Sequence, residues 1–238
     1  MPNVSLCEEE NEVHYREFVD PRLILRFTVT DGSTPTQLYR YNTTYDPRIG
    51  EPINRGVDKF DSIEIDGTEV SIADLDTAEG TYQLSNGNHT VKYSLKDPTI
   101  ISSYLFSGCG NLTNIKLPNT VTRLYLCAFN NCGITSLTIP DTVTRLDEES
   151  FSNCVNLQSV VLGTGLTYMD IEIFTYCTSL TSITSLAMTA PTTSRNTFSS
   201  NLPANGTLYV PRGGTGYDTW MQNQSYYLGY YNWTKVEQ

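Results

Sequence analysis

Four of the six cysteines in this 238-residue chain recur at nearly equal intervals. They are Cys109, Cys132, Cys154 and Cys177, and the middle spacing is one position shorter than the other two. Cysteine thiolates can bind zinc or act as nucleophiles, but structural zinc sites usually contain CxxC pairs, and the sequence has none. Free cysteines also pack as small hydrophobic side chains. We therefore predict a buried column of reduced, metal-free thiols, and keep a metal or redox role as the alternative.

Other residues with catalytic chemistry are sparse. Only two histidines are present, His14 and His89, and they are far apart in the sequence. The sequence contains no nucleophile elbow, Walker loop or HExxH motif. A glycoside hydrolase would need a pair of carboxylic acids, and the sequence does not assign one. We therefore predict a protein that is not an enzyme and that has no cofactor and no metal site.

A hydrophobic pattern repeats in register with the cysteines. A phenylalanine stands three positions before each of them, at positions 106, 129, 151 and 174. Further apolar residues follow at matched positions: Leu112, Ile115 and Leu117, then Ile134, Leu137 and Ile139, then Leu157, Val160 and Leu162, then Leu180 and Ile183. A period of about 22–23 residues is typical of leucine-rich repeats, which stack into a solenoid.

Each unit is expected to form a short strand followed by a return segment. Ile115 and Leu117 flank Lys116, and this alternation predicts a strand whose aliphatic side chains face inward. Pro118 and Pro140 would end their strands, where a missing N–H group costs no hydrogen bond. One coil alone buries only one side of a core, so successive coils must stack, with strands about 4.8 Å apart.

The units FSNCVNLQSVVL and CAFNNCGITSLTIPDTVTRL resemble BspA-like leucine-rich repeats, whose usual form is AFxxCxxLxxIxIPxxVxxI. The resemblance covers residues 90–190 and departs from the pattern at Gly163, where a proline is usual, and in the segment SLAMTAP. It implies a leucine-rich-repeat fold. It also implies a biological setting, because family members occur as surface adhesins of Bacteroidetes, other bacteria and protists. Further members occur in phages that infect gut Bacteroidetes, the crAss-like phages.

The sequence predicts a mainly β protein with four regions. These are an acidic N-terminal arm (residues 1–19), a β-sandwich-like module (20–89), the leucine-rich-repeat solenoid (90–190) and a Tyr/Trp-rich cap (191–238). The module is expected to continue into the solenoid without a linker. Its hairpins should turn at Asp66–Gly67 and at Asn86–Gly87. The cap should provide a last strand in TLYVP and a short helix over residues 217–224.

Charge and hydropathy exclude several classes of partner. The net charge is −11, of which residues 1–100 contribute −9, and an acidic surface is repelled by nucleic acid and by anionic membranes. No apolar run approaches the roughly 20 residues of a membrane-spanning helix. The opening segment MPNVSLCEEENEVHYREF lacks the basic and apolar parts of a secretory signal. We therefore expect neither nucleic-acid binding nor membrane insertion, and either retention in a cytoplasm or exit inside a larger particle.

The predicted binding surface combines outward-facing strand positions with aromatic residues of the cap. Alternation places mostly small polar side chains on the solvent side of the strands, and aromatic rings offer large, rigid contact areas to sugars. A merely solvated β-face and a purely structural cap are the alternatives. The candidate residues are Asn114, Lys116, Ser136, Thr138, Ser159, Thr184, Trp220, Tyr227, Tyr230 and Trp233.

The resemblance and the charge distribution together lead to a functional hypothesis. The protein is expected to be a structural or adhesive part of a phage virion, as a head or tail fibre or decoration. Its N-terminal region would contact a virion or capsid protein, or a second copy of the chain. The repeats would bind a protein or glycan on the host surface. The alternative is a BspA-like adhesin on a bacterial cell surface, which would require an export signal.

Overall fold

The computed structural model describes residues 20–40, 45–46, 51–52, 56–77, 80–194, 196–198 and 201–238. The predicted acidic arm (residues 1–19), which contains His14, lies outside these residues. The described strands are β1 (Leu23–Val29), β2 (Thr36–Gln37), β3 (Tyr45–Asp46), β4 (Glu51–Pro52), β5 (Phe60–Ile65), β6 (Thr68–Val70), β7 (Thr81–Tyr82), β8 (Gly87–Leu95), β9 (Ile100–Ile101), β10 (Leu112–Lys116), β11 (Arg123–Leu124), β12 (Ser136–Ile139), β13 (Arg145–Leu146), β14 (Ser159–Leu162), β15 (Tyr168–Met169), β16 (Ser182–Ser185), β17 (Thr192–Thr193), β18 (Thr207–Val210) and β19 (Thr234–Glu237). The described helices are α1 (Ile72–Thr77) and 3₁₀ turns at Gly56–Lys59, Tyr217–Thr219 and Leu228–Tyr231.

The N-terminal part of the described chain is built on an antiparallel sheet with the order β10-β1-β8-β5-β6. In β1, Leu23, Leu25 and Phe27 are fully buried, whereas Arg26 between them is exposed. This alternation is what a strand with one face on a core requires. Because β1 pairs with both β8 and β10, a strand from early in the chain lies between two strands that come much later.

One predicted hairpin is confirmed and the other is wrong. β5 and β6 pair across Asp66–Gly67, whose φ angles of 49° and 87° are both positive, as a type I′ turn requires. At Asn86–Gly87 no hairpin forms, because β7 pairs with β2 while β8 pairs with β1 and β5. The long strand β8 has both edges occupied by other long strands, so the short strand β7 finds its partner elsewhere.

The solenoid consists of two parallel sheets with the core between them. One sheet has the order β12-β14-β16-β18-β19, and the other, made of very short strands, has the order β17-β15-β13-β11-β9. Three coils contribute one strand to each sheet, as β12 and β13, β14 and β15, and β16 and β17. Neighbouring strands pair residue for residue at the repeat spacing. This arrangement confirms the predicted mainly β leucine-rich-repeat solenoid.

An aromatic column joins the N-terminal module to the solenoid. The rings of Phe106, Phe129 and Phe151 are stacked, with centroid distances of 5.2 and 5.6 Å. Phe106 also contacts Tyr93 and Phe60 of the module, at 5.2 and 6.2 Å. The buried residues of both regions therefore form one continuous core. The predicted boundary between residues 89 and 90 falls inside β8, so the two regions share a strand.

The C-terminal region differs from its prediction in two details. The strand in TLYVP, β18, is followed by a further parallel strand, β19, which becomes the edge of the sheet. In place of a helix over residues 217–224, the chain forms the short 3₁₀ turn Tyr217–Thr219. The following residues, Gln222 to Ser225, are all exposed, so no apolar stripe is available to hold a longer helix against the core.

Candidate functional site

The solvent-facing side of the larger solenoid sheet carries two straight rows of side chains. Parallel pairing aligns one residue of each strand with its counterpart in the next, so the rows run across the strands. Ser136, Thr138, Ser159 and Thr184, all predicted to face outward, lie in these rows. The first row is Ser136, Ser159, Ser182, Thr207 and Thr234, and the second is Thr138, Val161, Thr184, Tyr209 and Val236. We call these two rows the outer face.

The outer side of the antiparallel sheet adds a polar cavity next to these rows. Asn114 of β10 is paired with Arg26 of β1, and Lys116 with Ile24. The cavity has a volume of about 370 Å³ and is lined by Arg26, Thr28, Asn88, His89, Thr90, Thr113, Asn114 and Thr135. Arg26 was not among the predicted site residues. The alternation in RLILRFTVT does place it outward, but only the β1–β10 pairing places it beside Asn114.

Hydrogen bonds hold the polar groups of this cavity in place. The Thr28 hydroxyl donates to Oδ1 of Asn88 over 3.0 Å, and it lies 3.2 Å from the hydroxyl of Thr113. The Thr113 hydroxyl is also 3.2 Å from the carbonyl oxygen of Arg26, to which it can donate. Three strands that are far apart in sequence are thereby linked through their side chains.

His89 forms a pair with the carboxylate at the β5–β6 turn. Its Nδ1 lies 2.7 Å from Oδ2 of Asp66, and its Nε2 lies 2.9 Å from the carbonyl oxygen of Ser85. The backbone N–H of Thr90 donates to the other carboxylate oxygen of Asp66 over 2.8 Å. The hydrogen bond with Asp66 raises the pKa of His89 above its ordinary value of 6.5, with desolvation acting in the opposite direction.

We expect His89 to titrate above pH 6.5 in the folded protein and near its ordinary value after unfolding. The stabilising effect of the charged pair should be fully present below about pH 6.5 and should be lost as the pH rises through the folded pKa. NMR titration of the imidazole protons measures this pKa directly, because the chain has only two histidines, and His89→Gln assigns the signal. Asp66→Asn should return the pKa to its ordinary range or below. A folded pKa at or below 6.5 in the unaltered protein would contradict the pairing.

The periodic cysteines form a ladder of buried thiols. Sγ of Cys132 lies 3.2 Å from the carbonyl oxygen of Phe106, and Sγ of Cys154 lies 3.3 Å from that of Phe129. Cys177 repeats the contact with Phe151 at 3.3 Å. Each thiol can therefore donate to the backbone of the preceding coil. Burial raises the pKa of Cys154 to about 12, so its thiol stays protonated and unreactive.

Thiol counting should find the five described cysteines protected in the native protein. Cys109, Cys127, Cys132, Cys154 and Cys177 are buried, and their thiols are reduced. Cys7 lies outside the described residues, so the experiment uses a Cys7→Ala variant. Ellman's reagent should detect no thiol before unfolding and all five afterwards. Rapid reaction in the native state, or fewer than five thiols after unfolding without reductant, would contradict the ladder.

Two of the predicted aromatic binding residues belong to the core, which corrects their assignment. Trp220 is fully buried and Trp233 is 5% exposed. The indole Nε1 of Trp220 donates to the carbonyl oxygen of Pro191 over 3.3 Å, and that of Trp233 to Pro203 over 2.9 Å. Neither ring offers a face to a ligand, because each fills the end of the solenoid. Tyr230 is 53% exposed and Tyr227 is half-buried, so these two remain at the surface.

The opposite sheet carries a ladder of charged side chains that was not predicted from the sequence. Arg123 and Arg145 both form ion pairs with Asp147, and Arg145 also pairs with Asp170. The two guanidinium groups lie over the rings of Tyr125 and Tyr168, each at 4.3 Å. These charges neutralise one another across successive coils. We therefore assign the ladder a structural role, in which its ion pairs connect one coil to the next.

Two classes of functional element are not seen in the described part of the chain. Across residues 20–238 with the gaps given above, no group of three or more His, Cys, Asp or Glu side chains is arranged to hold a metal ion. None of the helices found there has the length and apolar character needed to cross a membrane.

The family comparison covers the repeats. Residues 87–203 match the model of the "BspA type Leucine rich repeat region" in six copies. This stretch is a BspA-type leucine-rich repeat region. The chain is also similar to a leucine-rich repeat protein from Bacteroides ovatus whose crystal structure is known, with 16% identity and a TM-score of 0.30. That match covers 58% of this chain and 43% of the other, and no curated protein matches.

The BspA-type region begins inside the antiparallel sheet. Its first residue, Gly87, is also the first residue of β8, and β10 is the next strand on the same side of the solenoid. In a regular array these two strands would be neighbours. Here β1 lies between them and runs antiparallel to both, so the first BspA-type repeat is separated from the second on the side that carries the polar cavity.

Proposed function

We propose that this protein is a non-enzymatic adhesion module that binds a surface ligand through its outer face. The observation that carries the proposal is the alignment of the two outer rows across five strands. Most positions in these rows carry small hydroxyl-bearing side chains, and none carries a charge. Stacked repeats commonly use such extended surfaces for binding, because a row of equivalent positions can contact an equally extended partner.

The opposite sheet is a less suitable binding surface than the outer face. On the opposite sheet, Arg123, Arg145, Asp147 and Asp170 are engaged with one another, so a ligand would have to break existing ion pairs. On the outer face, the hydroxyls of Ser136, Thr138 and Ser159 form no hydrogen bond with another side chain among the described residues, so they stay available.

The experiment places bulk and charge on the outer face. A fluorescent form of the full chain is applied to fixed Bacteroides cells and to a printed glycan array. The double variant Thr138→Arg, Thr184→Arg should lose most binding, because two long cationic side chains would stand between the face and its ligand. The matched control is Thr192→Arg, at an exposed position of β17 on the opposite sheet. Undiminished binding by the double variant, or an equal loss in the control, would contradict the proposal.

The proposed location of the protein in a phage virion rests on the family resemblance. The charge of −9 over residues 1–100 would suit a basic docking surface on a virion or capsid protein, because complementary charge accelerates and directs association. The N-terminal region would then attach the protein, and the BspA-type repeats would be displayed toward a host-surface protein or glycan. Proteomics of purified phage particles tests the placement. Absence from particles together with exposure on bacterial cells would favour the cell-surface adhesin instead.

A further inference from the structure

Arg26 is an unneutralised cation in a strongly acidic protein. The chain has a net charge of −11, and several of its basic side chains, including Arg22, Lys92 and Arg145, form ion pairs with carboxylates. Arg26 is exposed, and among the residues that the structure describes no carboxylate lies within ion-pair distance of it. A solvent-facing arginine without such a partner is available to an external anion.

A second cation and a polar cavity lie next to it. Arg26 is paired with Asn114 and Ile24 with Lys116, so Arg26 and Lys116 are diagonal neighbours on the same side of the sheet. Diagonal cross-strand neighbours are within reach of long side chains. The cavity of about 370 Å³ is within the size range of small-ligand sites.

The lining of the cavity has the chemistry of a saccharide site. Apart from Arg26 and His89, its side chains are the hydroxyls of four threonines and the amides of Asn88 and Asn114. Hydroxyls both donate and accept hydrogen bonds, as sugar hydroxyls do. The bonds between Thr28, Asn88 and Thr113 fix these groups before a ligand arrives, which reduces the ordering that binding would otherwise require.

We propose that this cavity binds a saccharide that carries a carboxylate, such as a uronic or sialic acid, with Arg26 paired to the carboxylate. A planar guanidinium can bind a carboxylate through two parallel hydrogen bonds. The carboxylate of Asp66 lies beside the lining, where it accepts the backbone N–H of Thr90. It would oppose a doubly charged phosphate more strongly than a singly charged sugar acid. The proposal rests on the adhesive function proposed above and names the chemical class of its ligand.

The test compares acidic and neutral sugars on the full chain. Calorimetry or NMR titration would use glucuronic, galacturonic and N-acetylneuraminic acids, with glucose and galactose as neutral controls. At least one acid should bind more tightly than the neutral sugars. Arg26→Gln should weaken that binding by about tenfold or more, as expected for a lost charge-assisted bond. Arg212→Gln, at an exposed arginine of the C-terminal region, is the matched control and should change nothing.

The outcomes separate this inference from the proposed function. No binding of any acid, or equal binding of acids and neutral sugars, overturns the inference. So does an Arg26→Gln variant that keeps full affinity for the acid. If the outer-face double variant loses cell binding while Arg26→Gln keeps it, the adhesive function stands without the acidic-sugar site. An unchanged melting temperature of Arg26→Gln shows that a loss of binding does not reflect a loss of fold.

Discussion

Replacing Gly133 by alanine is expected to destabilise the protein by about 3 kcal/mol, the upper range for overpacking a rigid site. A Cβ atom at Gly133 would lie 2.2 Å from the carbonyl oxygen of Gly110 in the preceding coil. The obstacle is backbone held between stacked coils, so it cannot rotate away as a flexible side chain would. Urea unfolding followed by circular dichroism measures the change in the free energy of unfolding.

Gly110 is the matched control for this substitution. Both glycines directly follow a cysteine of the repeat, but a Cβ atom at Gly110 would meet nothing within 4 Å. Gly110→Ala should therefore leave stability unchanged or raise it by up to about 1 kcal/mol through reduced freedom of the unfolded chain. Equal effects at the two positions would contradict the close contact between these coils.

A missing residue beside Gly133 explains the one short interval in the repeat. Gly110 and Asn111 separate Cys109 from Leu112, whereas Gly133 alone separates Cys132 from Ile134. The coil that contains Gly133 therefore takes a shorter path and passes against the backbone of Gly110. The shorter spacing that follows Cys132 is the consequence of this missing residue.

Phe129→Ala should cost about 3–5 kcal/mol, the usual effect of removing a buried aromatic ring and leaving a cavity. Phe129 is fully buried and stacks between Phe106 and Phe151, with interplanar angles of 11° and 3°. The loss therefore removes two ring contacts as well as the buried area. Urea unfolding again provides the measurement, and Phe129→Leu should lose less because it fills part of the space.

The control for the aromatic column is Thr138→Ala on the outer face. Its side chain is exposed, and surface substitutions of this kind usually change stability by less than about 0.5 kcal/mol. If Phe129→Ala and Thr138→Ala shifted the unfolding midpoint equally, the assignment of inward and outward positions would be wrong.

The repeat architecture of this protein is predictable from its amino-acid order alone. Within each unit, apolar and polar residues alternate over a few positions, and the unit recurs at a nearly constant interval. Both signals are local, so they specify which side chains of a coil face inward. The equivalence of the units then specifies that each coil stacks on the next. The phenylalanine column, the buried thiols and the outward direction of Ser136 and Thr138 all follow from these two features.

The pairing of strands that are distant in sequence, in contrast, depends on the folded chain as a whole. The position of β1 between β8 and β10 requires pairings between strands far apart in sequence, and no local pattern in LILRFTV selects these partners over others. The same pairings place Arg26 beside Asn114 and create the polar cavity. The burial of Trp220 and Trp233 likewise depends on the open end of the core, because an aromatic side chain in a sequence can equally cover a core or face a ligand. Local periodicity specifies orientation within an element, whereas long-range pairing and the filling of a core are properties of the whole chain.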